Sequence, residues 1–183
     1  MFGKRAGEYA AKFAKENSAG QINDAQVEAA AREALAPFER GAKTGGSADG
    51  PYQVQYELQE MMQKLVGIVR REDEMKQALD GLGKLYEREK TICVYGHREY
   101  NPGWHTAIDL KHLLTVSEAI TRAAIDRKES RGGHFREDFP DKDPAAAKYN
   151  SVISKGADGL MKFRREPIPE MPEHLKQVIE EMK

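Results

Sequence analysis

Apolar residues recur at helical spacing through the middle of this chain. Val54, Leu58, Met61, Met62, Leu65, Val66 and Val69 follow Pro51, a residue suited to a first helical turn. Met75, Leu79, Leu82 and Tyr86 define a second stripe from Glu72, although Gly81 and Gly83 each weaken that helix by about 1 kcal/mol relative to Ala. A third and longest stripe, Leu110, Leu113, Leu114, Val116, Ile120, Ala123 and Ala124, predicts a helix from Trp104 to Lys128. Three such stripes joined by short or medium loops bury one another most simply as an antiparallel bundle. The expected fold is therefore mainly α, with a spectrin-repeat-like three-helix bundle over 51–130.

The flanks read differently. Phe2, Ala6, Tyr9, Ala10 and Phe13 place a helix over 2–16, and Met1 runs into it with no lead-in, as in a polypeptide cut from something longer. Asn23 with Gln26 three residues on has capping-box spacing and opens an Ala/Glu-rich helix to about Arg40. Gly41 to Gly50 is small and polar, which predicts a linker and a domain boundary. Beyond Ser130 the chain turns extended: 149–154 and 160–164 flank Lys155-Gly156-Ala157-Asp158-Gly159, a hairpin pattern. Three prolines then hold the tail open before a short last helix. Three segments follow: 1–50, the bundle at 51–130, and 131–183 with the hairpin and tail.

Charge narrows the function. Twenty-nine Lys+Arg against thirty Asp+Glu leaves a formal net charge of −1, without the concentrated basic surface that nucleic acid requires. A mean hydropathy of −0.73 fits a modest core under much solvated helix. The apolar runs are too short for a membrane span, and no apolar signal segment follows the first residues. A chain of 183 residues buries roughly 70% of its unfolded surface, enough for one good core. The single cysteine, Cys93, rules out an internal disulfide and reads as a small buried hydrophobe in a reducing compartment.

Candidate chemistry concentrates in Arg131-Gly132-Gly133-His134-Phe135-Arg136-Glu137-Asp138. On an extended segment His134, Arg136 and Asp138 share one face. With Arg131 they are the candidate interaction residues. They form either a clasp within the chain or onto another domain, or a subunit contact; a clasp facing solvent is worth only about 0–1 kcal/mol. No nucleophile accompanies them. His97, Glu99 and His105 fall short of a metal set, and Trp104 with Tyr100 beside it anchors the long helix. The glycine pair at Gly81 and Gly83 lacks the strand and helix context of a dinucleotide fingerprint. Catalytic, cofactor-binding and metal-binding residues are all expected to be absent from this chain.

The run Ser130-Arg131-Gly132-Gly133-His134-Phe135-Arg136-Glu137-Asp138-Phe139-Pro140 resembles the C-terminal region of the succinate dehydrogenase and fumarate reductase flavoprotein subunits, with L-aspartate oxidase among their relatives. The family pattern there is Ser-Arg-Gly-x-His-x-Arg-x-Asp-x-Pro, with alanine more usual where Gly133 stands. The likeness extends through 98–105, 109–111, 114–119 and 165–169, and the first residues resemble the last helix of the family's FAD-binding domain. The resemblance implies a parent activity of succinate oxidation to fumarate or its reverse, with FAD held elsewhere in the parent subunit. It implies that this chain alone is inactive. Its partners would be the flavoprotein catalytic core and an iron-sulfur subunit, in a cytoplasmic complex peripheral to the membrane. A separately encoded helical adaptor docking on such a core is the alternative.

Overall fold

A computed structural model describes residues 2–44 and 49–182, with nothing said of the Thr44 side chain. Six α-helices run in order: α1 (Phe2–Glu16), α2 (Asp24–Thr44), α3 (Pro51–Leu65), α4 (Glu72–Glu89), α5 (Pro102–Asp126) and α6 (Glu173–Glu181). Two two-stranded sheets accompany them. β1 (Val69–Arg70) pairs in parallel with β2 (Phe135–Arg136), and β3 (Tyr149–Lys155) pairs antiparallel with β4 (Met161–Pro167). The expected three-helix bundle with one hairpin is thereby corrected: the described residues hold six helices and two small sheets, not a simple three-helix bundle.

Each difference has a local cause. The helical rhythm of α3 was expected to run to Val69, but Val66 leaves helical geometry and Val69 joins β1. Leu65 to Val69 thus turn from helix to strand within one apolar run, which periodicity alone does not resolve. α2 carries on past Arg40 to Thr44, through Pro37. The expected linker is helical over 41–44; residues 45–48 lie outside the described residues, as do Met1 and Lys183.

The chain divides into two compact units, 1–36 and 37–183. In the first, α1 has no buried residue, and Asn23 accepts the Gln26 N–H at 3.2 Å as the capping-box spacing requires. In the second, α3, α4 and α5 pack on one another. Val54 and Leu58 of α3, Leu82 and Leu85 of α4, and Leu110 and Leu114 of α5 form the main core with Ile92 and Val94. A smaller cluster of Val66, Met75, Ala78 and Ala124 sits nearer the β1–β2 pair. Cys93 is buried between Ile92 and Val94, its amide bonded to the Asp49 carbonyl at 3.3 Å. Asn101 caps α5 through the Trp104 N–H, and Trp104 packs against Phe38 at 5.5 Å between ring centroids. Tyr100 does not join it: its backbone has a positive φ of 52° and its side chain is 99% exposed.

Candidate functional site

The four candidate residues come together between the C-terminus of α5 and the N-terminus of α4. Arg131 and His134 exchange backbone hydrogen bonds at 2.8 and 3.0 Å, closing a two-residue turn. Gly132, with φ of 59°, takes the first central position of that turn, where a side chain would be strained. The turn feeds β2, whose alternation sends Arg136 inward and Phe135 outward.

Arg136 is fully buried, so its clasp lies inside the protein. Its Nε and one terminal nitrogen each donate to Asp138 at 2.7 Å. The other terminal nitrogen donates to the carbonyls of Ala124, Ile125 and Arg127 at 2.8, 3.3 and 3.3 Å. α5 has no basic residue in its last turn, so Arg136 supplies the cation that the helix C-terminus favours. Asp138 in turn accepts the Glu72 N–H at 3.0 Å, and Arg71, at the cap position of α4, makes no side-chain cap. A carboxylate at a helix N-terminus is favoured for the same electrostatic reason. Paired to Arg136, the Asp138 carboxyl falls to about 2.

A second knot surrounds Glu129, whose side chain is also fully buried. Arg131 grips it with bonds of 3.0 and 2.9 Å, Arg127 reaches it at 2.6 Å, and the Asp143 amide donates at 2.8 Å. These donors, Arg131 foremost, lower its carboxyl to about 2. Ser130 links the knots, its hydroxyl accepting from the Arg136 amide at 2.8 Å and donating to the Phe139 carbonyl at 2.9 Å. Glu129 and Ser130 were not among the sequence candidates. Their place beside Arg131 in an otherwise polar run gave no sign of burial.

His134 lies half-buried between Arg127 and Arg70. Its Nε2 stands 3.0 Å from the Arg127 carbonyl, and Nδ1 stands 2.9 Å from the Arg70 guanidinium. A carbonyl only accepts and a guanidinium only donates, so the ring must be neutral with its proton on Nε2. Burial, aided by the charges of Arg70, Arg136 and Arg127, pushes its pKa below the ordinary imidazole value. Among the described residues, Arg136 with Asp138, and Arg127 and Arg131 with Glu129, bond one another, so the cluster acts as a structural joint.

Elsewhere, no cluster of His, Cys, Asp and Glu among the described residues is arranged to hold a metal ion. His97, His105 and His112 are exposed. Gly81 and Gly83 lie inside α4, where a β-carbon on Gly81 would collide with the Met61 sulfur. Gly81 therefore serves helix packing and does not fit a flavin pyrophosphate cradle, which needs glycines at a strand-to-helix turn. No described helix is long and apolar enough to cross a membrane.

Comparison with known proteins identifies the group around this joint. Residues 55–178 match the family described as fumarate reductase flavoprotein C-term. The fumarate reductase flavoprotein subunit of Haemophilus influenzae is 30% identical over 92% of this chain, which spans 28% of that protein. Its Helicobacter pylori counterpart is 34% identical over 67% of this chain and 17% of its own length. Among solved structures, the Mycobacterium smegmatis Sdh1 complex in its apo form superposes with a TM-score of 0.81 at 38% identity, covering 93% of this chain and 29% of that one. The chain thus spans less than a third of these relatives, and it belongs to the family of fumarate reductase and succinate dehydrogenase flavoprotein C-terminal regions.

Proposed function

We propose that this chain is the non-catalytic C-terminal module of an FAD-dependent succinate dehydrogenase or fumarate reductase flavoprotein subunit, serving packing and subunit docking. The family match over 55–178, with 28% coverage of the Haemophilus subunit, carries this reading. The parent reaction interconverts succinate and fumarate on a flavin that the rest of the subunit holds. Hydride transfer needs the isoalloxazine ring and groups oriented around it, whereas the charged cluster of this chain spends its hydrogen bonds on helix ends. Its partners are the flavoprotein core and an iron-sulfur subunit, in a cytoplasmic complex peripheral to the membrane. In this reading residues 1–50 belong with the last helices of the flavin-binding domain and a linker, 51–130 form the helical body, and 131–183 carry the signature, hairpin and tail.

A second reading is a separately encoded helical adaptor. The main core, closed within residues 37–183, favours it to the extent that an adaptor must fold unaided. A mixing experiment tests the primary reading. The purified chain is combined with the FAD-bearing remainder of the Haemophilus subunit, produced without its own matching segment. The expected result is no flavin absorbance and no dye-coupled succinate oxidation from the chain alone, and a stoichiometric complex with the remainder. A flavin that copurifies with the isolated chain, or no association at all, overturns the reading.

A further inference from the structure

One bond in the joint sets a cation against a neutral base with no carboxylate between them. Arg70 lies in register with the buried Arg136, on the inner side of the β1–β2 pair and opposite Val69 and Phe135. Its Nε donates to the Gly67 and Val66 carbonyls at the end of α3, at 2.8 and 3.3 Å. A terminal nitrogen donates to the His134 Nδ1 at 2.9 Å. The strands themselves are two residues long, and the Glu137 N–H donates across them to the Arg70 carbonyl at 2.9 Å. A single side-chain bond thus ties the α3–α4 connection to the turn that opens the signature strand.

The charges around His134 make that bond conditional. Arg70 faces the ring from β1, Arg127 from the end of α5, and Arg136 from its own strand, and all three disfavour a proton on it. The nearby carboxylates are held by other cations. Glu129 is gripped by Arg127 and Arg131, Asp138 by Arg136, and Glu72 of α4 lies against Lys76 and Lys128, 3.6 Å from Arg136. An imidazolium carries an N–H at both nitrogens. Nε2 would keep the Arg127 carbonyl as its acceptor, but Nδ1 would point a donor at the donors of a like-charged guanidinium. Protonation therefore breaks the Arg70 side alone.

We propose that the Arg70–His134 bond is an acid-released latch: a proton on His134 frees the Arg70 guanidinium and lets β1 part from β2, while the carboxylate pairs keep the rest of the joint closed. The order of events follows from the groups involved. Asp138 and Glu129 titrate at about 2 in the folded chain, so they hold their arginines through mild acid. The closed latch requires a neutral ring, and its pKa lies below the ordinary 6.5. An open latch returns the ring towards that ordinary value, so it binds the proton first as pH falls through 6.5. One proton separates the two states, and opening gains up to about tenfold per pH unit until the closed ring itself protonates. The α3–α4 connection thus loosens in mild acid without disturbing the core between α3, α4 and α5.

Amide hydrogen exchange of the full chain by NMR, corrected for the intrinsic rate at each pH, tests the latch. Between about pH 7 and pH 5 the Glu137 N–H should lose protection about tenfold or more, while the amides of Leu114 and Thr121 in α5 keep theirs. His134→Gln offers Arg70 an acceptor and the Arg127 carbonyl a donor without titrating. In that variant the Glu137 protection should no longer depend on pH over this range. If His134→Gln does not fold, the His134 ring signals read the contact directly. Arg70→Gln should raise the ring's midpoint by at least about twice the change from Arg71→Gln, an equal loss of charge at an exposed site paired with Asp73 and Glu137. Glu137 protection that stays flat while His134 titrates overturns the inference. So does a ring that stays neutral down to about pH 4.5, where the carboxylates begin to take part, equal loss at Glu137 and in α5, or equal midpoint shifts in the two arginine variants.

Discussion

Arg136 and Asp138 stand two residues apart, joined by two 2.7 Å bonds, and each attends to a different helix. The arginine collects carbonyls at the end of α5, and the aspartate accepts the first amide of α4. The pair thus ties two helix termini of opposite polarity through their unsatisfied backbone groups. The signature segment carries this joint because β2 sends Arg136 inward and the turn after it, closed by the Phe139 N–H on the Arg136 carbonyl at 3.1 Å, brings Asp138 back onto the same guanidinium.

Arg136 is buried and Asp138 is 30% exposed, so removing the arginine strips its bonds to Asp138 and to the α5 carbonyls at a cost approaching that of a broken buried pair, about 3–5 kcal/mol. Arg136→Ala should lose stability in that range by urea denaturation. Arg136→Lys should recover little, because an ammonium lacks the fork that grips Asp138 while reaching the Ala124 carbonyl. A loss below about 1 kcal/mol for either variant would fall in the surface-pair range and contradict the burial of this side chain.

Stability should fall with acid in two stages. Asp138 and Glu129 both have folded pKa values of about 2, against ordinary values of 3.8 and 4.5. Their contribution is complete above the unfolded values and is lost as pH falls from the mid-fours towards 2, because the unfolded chain takes up protons first. His134 has a folded pKa below its ordinary 6.5, so the unfolded chain also gains its proton first. That loss begins as pH drops through 6.5 and is the shallower limb. Urea midpoints from pH 8 to 3 measure both, and His134→Gln should erase the shallow limb alone.

Core truncations should separate the buried stripe from its exposed margin. Leu110 and Leu114 are inaccessible to solvent, so Leu→Ala at either should cost about 2–5 kcal/mol. Ile120 belongs to the same sequence stripe yet is 45% exposed. Ile120→Ala should therefore cost less than about 1.5 kcal/mol, the lower end of side-chain burial. Comparable losses at Leu114 and Ile120 in thermal melts would mean that the far turn of α5 is covered in solution.

The stripes of α3, α4 and α5 were legible because helical periodicity records which face is buried, and Leu58, Leu82, Leu110 and Leu114 do lie in the core. The β3–β4 hairpin was legible from its Gly-rich turn. The β1–β2 pair was not, since two residues leave no period and Val69 continues the rhythm of α3. In the joint, alternation was expected to put His134, Arg136 and Asp138 on one face, but β2 ends at Arg136 and a turn carries Asp138. Alternation also could not say what these side chains meet. The partners of Arg136 are backbone carbonyls of α5 and those of Asp138 include an α4 amide, groups that every residue carries and no sequence pattern marks. The burial of Glu129 followed from the same three-dimensional convergence, with Arg127, Arg131 and the Asp143 amide arriving from both sides of it.

The first helix offers the last prediction. α1 is amphipathic in sequence but buries nothing: Phe2, Tyr9 and Phe13 are 82%, 72% and 57% exposed. A 15-residue helix without tertiary packing is marginal in water, since isolated helices shorter than about 12–15 residues barely hold together. Its ion pairs, Lys4 to Glu8 and Lys12 to Glu16, are exposed i,i+4 contacts worth about 0.3–0.5 kcal/mol each. They offset little of the entropy lost on ordering the backbone. Amides of residues 4–14 should therefore exchange far faster than those of α5, whose Leu110, Leu114 and Thr121 are fully enclosed. Hydrogen exchange on the isolated chain decides it. Protection in α1 equal to that of α5 would require an apolar partner for Phe2, Tyr9 and Phe13, such as a second copy of the chain. In that case protection would fall on dilution, whereas the protection of α5 would not.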